Sequence, residues 1–173
     1  MHIRPANLQD ALAVATVHVR SWQAGYRHLL PQEYLDGLKP EDRAKRYDFA
    51  NTDPARPKTF VAVQDTTITG FVTLSPAKDA DAAGCGELSA LYVDPDKWNQ
   101  GIGAQLIMHA HHQLLSAGYQ HAVLWMLAGN DRAERFYRHH GWVTDGSTRS
   151  DVVWGVAVEE VRFRTRLEQV THE

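Results

Sequence analysis

Two glycines at the junction of an apolar and an amphipathic segment are the residues best suited to bind a ligand. Gly101 and Gly103 follow an apolar run that ends at Val93, and the amphipathic segment begins immediately after them. A strand-to-helix junction of this kind directs several backbone N–H groups to one point, at the positive end of the helix dipole. Because glycine has no Cβ, the backbone can approach an anion closely there. The spacing predicts a pyrophosphate site, which a branched side chain at either glycine would fill.

Two common phosphate-binding motifs do not describe this junction. The dinucleotide fingerprint needs a third glycine, but Leu106 stands three residues after Gly103. The P-loop needs a Gly-Lys-Ser/Thr sequence, which follows neither glycine. The predicted phosphate site is therefore of another kind.

Composition narrows the class of protein. Of the 173 residues, 43% are hydrophobic and 23% are charged, so we expect one domain, residues 1–173, with a substantial core. A net charge of −3 argues against a dedicated nucleic-acid-binding protein. The sequence has neither an apolar run of membrane-spanning length nor a signal-peptide core, and its single cysteine, Cys85, suits a reducing compartment. We expect a cytoplasmic protein without a nucleic-acid or membrane partner.

The elements that position the glycines follow from hydrophobic periodicity, capping residues and turn residues. Strands are predicted near residues 2–4, 59–64, 68–75, 87–93, 121–127, 142–144, 152–156 and 161–167. Helices are predicted from a cap at Asn7 through Trp22, and near residues 32–37, 41–49, 101–117 and 130–141. Helices, a meander and two strand–helix units indicate an α+β fold with αβα layers, a mixed sheet covered on both faces.

A second pattern follows the glycine-led helix and points to a family. It reads Asn-x-x-Ala-x-x-Phe-Tyr-x-x-x-Gly-aromatic and is filled by Asn130, Ala133, Phe136, Tyr137, Gly141 and Trp142. Together with the two glycines, it closely resembles the GNAT superfamily of acyl-CoA-dependent N-acetyltransferases. The resemblance is strongest over residues 87–142 and consistent in element order over residues 3–167. One departure is that Trp98 replaces the basic or Gln residue often found three positions before the first glycine, whereas Gln100 stands next to it.

The resemblance implies a mostly antiparallel sheet in which two central strands splay apart, with the pantetheine arm of CoA in the gap. Its amides would pair with unpaired backbone groups, as in peptide addition to a sheet edge. Acetyl-CoA would be the co-substrate, and no metal is implied. By resemblance, the strand residues Leu91, Tyr92 and Val93 and the helix residue Asn130 contact the cofactor. The pyrophosphate cradle would consist of Gln100, Gly101, Ile102, Gly103 and Ala104.

Tyr137 is the candidate general acid. Acetyl transfer expels the thiolate of CoA, which benefits from a proton donor within hydrogen-bonding distance. By its position seven residues after Asn130, Tyr137 resembles the general acid of the family. The alternative is that Tyr137 is a core aromatic residue beside Phe136.

Glu87 is the candidate general base. Strand alternation predicts that Glu87 and Ser89 share one face with Leu91 and Val93, opposite Tyr92. A carboxylate at the start of an apolar strand could accept a proton from an ammonium group, and burial would raise its pKa toward that use. The alternative is an exposed carboxylate at the end of the strand.

Trp22 and Tyr26 are the candidate substrate-binding residues. They lie in the segment that, by resemblance, packs over the acceptor cleft, although Trp22 could equally be the core anchor of its helix. The acidic chain and these aromatic residues favour a small cationic amine, while a protein N-terminus or lysine stays open. A second hypothesis is a CoA-binding module without turnover, against which an intact Tyr137 argues.

A metal site is not predicted. Three histidines on one helix, His109, His111 and His112, lack a carboxylate or cysteine at ligand spacing. A solvated or cofactor-adjacent helix face is the simpler interpretation.

The residue pattern of the final strand bears on the oligomeric state of the protein. Its apolar residues alternate with Arg162, Arg164 and Arg166, which indicates a half-buried strand. Family members often pair around their C-terminal strands, so a homodimer is expected. The arginines equally fit charges that keep an edge strand monomeric.

Overall fold

A seven-stranded sheet forms the frame of residues 1–169, which the computed structural model describes. The strands are β1 (His2–Pro5), β2 (Lys58–Gln64), β3 (Thr67–Pro76), β4 (Gly86–Val93), β5 (His121–Leu127), β6 (Val143–Val153) and β7 (Val156–Arg166). The helices are α1 (Ala11–Gly25), α2 (Gln32–Asp36), α3 (Pro40–Ala44), α4 (Ile102–Ser116) and α5 (Asp131–His139). Within this range, none of the helices combines the length and apolar character that crossing a bilayer requires.

The sheet is mixed and splays at its centre. The strand order is β1-β2-β3-β4-β5-β7-β6, and every neighbouring pair is antiparallel except β4 and β5. α4 makes the crossover connection that a parallel pair needs. β4 and β5 pair only through Gly86 with Ala122 and Glu87 with Val123, and they diverge beyond these residues. The predicted mixed, mostly antiparallel sheet with a central splay is confirmed.

Apolar residues divide the helices between the two faces of the sheet. On one face, Val14 and Val17 of α1 pack on Phe71 of β3. On the other face, α4 and α5 form the larger core, which includes Leu106, Ile107, Tyr137, Trp142 and Phe163. Both faces are therefore covered, as predicted.

Two helices differ in their bounds from the prediction. α1 begins at Ala11, because Asn7 caps a separate 3₁₀ turn over Leu8–Asp10. α3 ends at Ala44 instead of residue 49. Tyr47 and Phe49 leave the helix so that their rings, 4.9 Å apart, can stack beside the α1 core.

The C-terminal hairpin is longer than predicted. The short strand predicted near 142–144 and the first residues of the one predicted near 152–156 belong to one strand, β6, which reaches Val153. The prediction of a continuous strand over 152–156 is wrong, because a turn interrupts it. Trp154 and Gly155 both have positive φ angles and form a two-residue turn into β7. The polar run 145–151 resembles a loop in sequence because β6 is the exposed edge of the sheet.

β7 is an interior strand, so the interpretation of its arginines as charges that keep an edge strand monomeric is wrong. It lies between β5 and β6, and Arg162 is only 4% exposed. The β3–β4 loop covers Arg162, whose guanidinium donates hydrogen bonds to both carboxylate oxygens of Asp81 at 2.7 Å and to Asp145 at 2.7 Å. The expected homodimer cannot use β7 as an edge, and the homodimer itself stays a prediction.

We predict that Arg162→Met lowers the free energy of unfolding by about 2–3 kcal/mol, because it leaves several carboxylates without their cation. Arg166→Met, on the exposed end of the same strand, should cost less than about 0.5 kcal/mol. Urea denaturation measures both. Hydrogen bonds from Arg162 hold the pKa of Asp81 below its ordinary value. The difference between wild type and Arg162→Met should therefore shrink as the pH falls below about 4. Equal losses for the two variants would contradict this account.

Candidate active site

Two cavities meet at the gap between β4 and β5. The first, which we call the groove, has a volume of about 700 Å³ and lies between β4, the start of α4 and α5. The second, the aromatic cavity, has a volume of about 420 Å³ and lies between α1, α3, the segment after α3 and the β6–β7 turn. Residues that line both are Tyr26, Leu88, Ser89, Ala90, Tyr92, Trp125 and Met126.

The two glycines have different roles. Gly101 is the N-cap of α4 with φ +81°, and a Cβ there would meet no atom within 4 Å. It therefore leaves open space in front of the N–H groups of the first turn of α4. A Cβ on Gly103 would lie 3.3 Å from the Phe136 ring. A side chain there would therefore press on α5 as well as enter the predicted ligand space, because Gly103 lets α4 pack closely on α5.

Arg132 supplies a cation that the sequence motif lacks at Trp98. Its guanidinium lies 3.5 Å from the centre of the Trp98 ring, and burial lowers its pKa. Trp98 is fixed in turn by donating from Nε1 to the Val93 carbonyl at 2.8 Å. Both side chains line the groove, whereas Gln100 is exposed and does not. Trp98 at a position that is often basic indicated that another residue would have to supply the cation. Only the fold shows that this residue is Arg132.

The other predicted cofactor residues lie along the groove. Leu91, Tyr92 and Val93 line it from β4, while Ile102 and Ala104 line it from α4. The Val93 carbonyl is already occupied, because it also accepts from the Ser21 hydroxyl at 2.9 Å.

Asn130 has a capping role at the groove. Its side chain lines the groove and accepts from the backbone N–H of Ala133 at 3.2 Å, which caps α5. This hydrogen bond orients α5 and the face that carries Tyr137. Asn130 thereby positions the helix whichever contacts it makes with a ligand.

Tyr137 lines the groove and also belongs to the core. Its ring packs at 5.3 Å from Phe136 and at 6.1 Å from Trp142. Burial raises its pKa, so the hydroxyl is protonated at neutral pH. Within residues 1–169 this hydroxyl makes no side-chain hydrogen bond, which leaves its proton available to a ligand in the groove.

A β-bulge moves Glu87 to the opposite face from the one predicted. Leu88 pairs with Leu74 and Ala90 with Thr73, so Ser89 is an extra residue in β4. Leu91 and Val93 consequently pack on the α4 side together with Leu88. The prediction that Glu87 shares their face is wrong: Glu87 lines the aromatic cavity and not the groove.

Glu87 is buried, not an exposed carboxylate at the end of a strand. It is 9% exposed, and burial raises the pKa of its carboxyl. The Ser89 hydroxyl lies 3.5 Å from its Oε2. Glu87 and Tyr137 therefore approach the junction of the two cavities from opposite sides.

Glu160 is a second buried carboxylate in the aromatic cavity, which sequence reasoning missed. It is 8% exposed and accepts from Arg149 Nε at 3.0 Å. The charged sequence around Glu160 is typical of an edge strand, so it gave no sign that this residue lies in an interior strand. Glu160 thus has a cation partner at hydrogen-bonding distance, whereas within residues 1–169 no cation lies within 4.0 Å of Glu87.

Trp22 and Tyr26 serve both as core and as cavity wall. Trp22 packs at 5.0 Å from Tyr26 and at 4.5 Å from Trp154 of the hairpin turn. The Tyr26 and Tyr92 hydroxyls are 3.1 Å apart where the cavities meet. The two interpretations of Trp22 are thus compatible, since Trp22 belongs to a core cluster and also lines the aromatic cavity.

The α4 histidines have separate structural partners. His111 Nε2 accepts from Trp142 Nε1 at 3.2 Å, and His109 packs edge-on against Phe60. In the part of the chain that the structure describes, no three His, Cys, Asp or Glu residues are grouped as metal ligands.

Comparisons with known proteins agree with this arrangement. A model of the acetyltransferase (GNAT) family matches residues 22–142. The chain is 28% identical over 129 residues to the uncharacterized N-acetyltransferase YuaI of Bacillus subtilis, covering 74% of this chain and 72% of that one. It is 23% identical over 157 residues to a spermidine N(1)-acetyltransferase of Thermoplasma acidophilum, covering 88% and 94%.

Solved structures share the fold. PaiA N-acetyltransferase of Thermoplasma acidophilum in complex with coenzyme A has a TM-score of 0.74 at 19% identity, covering 95% of this chain and 98% of that one. An N-acetyltransferase of Staphylococcus aureus has a TM-score of 0.72 at 16% identity, covering 96% and 98%. Since the family model spans most of the chain, including the splayed strand, the glycines and the Asn130 motif, this protein belongs to the GNAT acetyltransferase family.

Proposed function

We propose that this enzyme transfers the acetyl group of acetyl-CoA to a primary amine of a small molecule, by direct attack in a ternary complex. The observation that carries the proposal is the meeting of two cavities at the gap where β4 leaves β5. Acetyl-CoA in the groove would present its thioester at this junction. An amine in the aromatic cavity could then reach the thioester carbon without a covalent enzyme intermediate.

The groove suits acetyl-CoA along its length. Beyond Glu87 the β5-facing edge of β4 has no strand partner, so the pantetheine amides can pair with it. At the other end, the N–H groups behind Gly101 point at the pyrophosphate, and Arg132 adds a cation. The groove has about the volume expected of a cofactor site.

The proton transfers divide between the two cavities. The amine loses a proton to Glu87, directly or through water, and its lone pair attacks the thioester carbonyl. A backbone N–H of the splayed strand polarises that carbonyl. The tetrahedral intermediate collapses as the C–S bond breaks, and Tyr137 donates its proton to the sulfur. The nitrogen gives up its second proton, which returns to the Tyr137 phenolate directly or through water, so that a neutral amide and a free thiol leave. Holding both reactants in line contributes on the order of 7–11 kcal/mol in the best intramolecular models.

The volume of the aromatic cavity, about 420 Å³, and its lining by α1, α3 and the hairpin turn favour a small acceptor over a protein chain. The spermidine acetyltransferase relative is named for a small-molecule amine. A panel of small amines and peptides, with release of free CoA thiol as the readout, tests the proposal. Tight acetyl-CoA binding without transfer to any acceptor would favour a binding module instead.

For the cofactor site, we predict that Gly101→Val abolishes acetyl-CoA binding in a folded protein. Gly118→Val is the matched control, because Gly118 also has a positive φ and open space, at the far end of α4. Both changes should cost about 1–2 kcal/mol of stability through backbone strain. Only Gly101→Val should lose affinity in calorimetry. An unchanged dissociation constant would defeat the assignment of the cradle.

For the general acid, we predict that Tyr137→Phe lowers kcat by about 10²-fold, the lower end of the usual range for this role. Acetyl-CoA affinity should hardly change, since the ring keeps its packing. The loss in kcat should shrink as the pH falls, because solvent then protonates the CoA thiolate, whose pKa is about 8.5. Tyr119→Phe removes the same hydroxyl outside the groove and should retain wild-type kcat. Wild-type kcat across pH in Tyr137→Phe would leave the tyrosine a packing role alone.

For the general base, we predict that Glu87→Gln lowers kcat/KM by about 10²–10⁴-fold at neutral pH. The wild-type profile should fall on the acid side at a pH above the ordinary glutamate pKa, because burial raises the pKa of Glu87. Glu87→Gln should lack this limb. A raised pKa in the folded state means that ionised Glu87 destabilises the fold as pH rises, so Glu87→Gln should be at least as stable at neutral pH. A wild-type rate with an unchanged acid limb would rule out this role.

A further inference from the structure

The aromatic cavity contains an arginine without a counterion. The guanidinium carbon of Arg43 lies 4.8 Å from the centre of the Trp154 ring and 5.4 Å from that of Tyr47. Its Nε is buried and has no hydrogen-bond partner. The residue as a whole is half-buried, and within residues 1–169 no carboxylate lies within 4.0 Å of it.

The other charges that line this cavity show that Arg43 is unusual. Arg149 is within 4.0 Å of Glu160, Asp151 and Asp79, and Arg56 is within 3.7 Å of Asp48. These contacts use every lining carboxylate except Glu87. In the described part of the chain, three lining cations therefore have no ion pair: Arg43, Arg46 and Lys78.

The aromatic neighbours of Arg43 do not supply a negative charge. Burial, followed by the charge of Arg43, lowers the pKa of His18 well below its ordinary value, and burial raises the pKa of Tyr47 to about 12. Both are neutral near pH 7, and the His18 ring Nδ1 is hydrogen-bonded to the Tyr47 hydroxyl at 2.9 Å. This end of the cavity thus has a fixed aromatic wall and an unneutralised guanidinium.

We propose that the acceptor carries an acidic group, a carboxylate or phosphonate, besides its amine, and that Arg43 binds this group. The proposal rests on the proposed function, since it names the substrate class of the same site. A guanidinium presents a planar set of donors that matches such anions. The rings of Trp154 and Tyr47 lie beside that of Arg43. Glu87, which is the one lining carboxylate with no cation within 4.0 Å in the described residues, would receive the amine. Arg43 and Glu87 therefore make the cavity complementary to a zwitterion.

This substrate class differs from the cationic amine favoured by the sequence. A polyamine would bring a second ammonium group into a cavity that already has three cations without ion pairs. Like charges placed together in a partly buried site repel each other and select against that ligand. Arg43 would thus determine specificity by rejecting polyamines as well as by binding acids.

The test compares acceptors that differ only in one group. The proteins tested are wild type, Arg43→Gln and Arg43→Lys. The acidic acceptors are ω-amino carboxylates and aminophosphonates of increasing chain length, and α-amino acids. The comparison acceptors are the neutral carboxamides of the carboxylates and diamines of equal length. Lys45→Gln is the matched control, because Lys45 lies beside the same helix but is exposed and outside the cavity. Thiol release measures turnover. Quenching of tryptophan fluorescence measures binding independently, since Trp22 and Trp154 line the cavity.

Wild type should prefer an amino carboxylate or aminophosphonate over its matched neutral amine and diamine by at least about 30-fold in kcat/KM, or in affinity where turnover is absent. Arg43→Gln should lose this preference by raising KM for the acid alone, and Arg43→Lys should recover part of it. Lys45→Gln should behave as wild type. If Arg43→Gln does not fold, the acceptor preference of wild type and that of Arg46→Gln test the acidic acceptor instead. Arg46→Gln should lose less of the preference for acids than Arg43→Gln would.

The outcomes separate this proposal from the proposed function. Transfer to neutral amines or diamines as fast as to acids would overturn the acidic acceptor and leave the acetyltransferase intact. Equal losses for acids and amides in Arg43→Gln would also overturn it, because they indicate a structural role. Acid-selective binding without transfer to any amine would support the acidic site and reject the proposed function.

Discussion

The divergence of β4 from β5 after two residue pairs is the constraint on which the site depends. At the paired end, Gly86 has α4 directly above it, and a Cβ there would lie 2.6 Å from a methyl carbon of Leu114. α4 is thus seated close to the sheet where the strands touch. Farther along, the side chains of α5, among them Tyr137, and of β5 border the gap. The unpaired edge of β4 would be unfavourable inside a sheet, unless a ligand with its own amides occupies the gap.

The bulge at Ser89 gives this gap two chemically different sides. Without the extra residue, Glu87 would face the same side as Leu91 and Val93, and both candidate proton-transfer groups would border the groove. With it, the carboxylate borders the aromatic cavity and the phenol borders the groove. A base and an acid on one side of a thioester would compete for the same space. In the proposed mechanism, their separation across the strand would let the amine and the thiol exchange protons with different residues.

The sequence predicts those features that depend on local pattern. The glycine junction, the pattern from Asn130 to Trp142 and the β2–β3 hairpin have short-range signatures, and the fold contains each of them within a few residues. The errors have long-range causes. Whether Arg162 is covered depends on a loop about eighty positions earlier, and strand alternation cannot reveal a one-residue bulge. Likewise, Arg132 reaches Trp98 only because α5 packs beside the start of α4.

Charge shows the same difference between local and long-range information. The net charge of −3 is an average over 173 residues, and it favoured a cationic acceptor. A ligand in the aromatic cavity responds instead to charges within about 8 Å, the distance over which physiological salt screens them. There, ion pairs within the cavity wall neutralise most of the lining carboxylates, and arginines without an ion pair remain. The composition of the chain therefore says little about its acceptor, because the fold decides which charges cancel before a substrate arrives. Ion pairs in the wall, and not the net charge, determine which ligand the cavity complements.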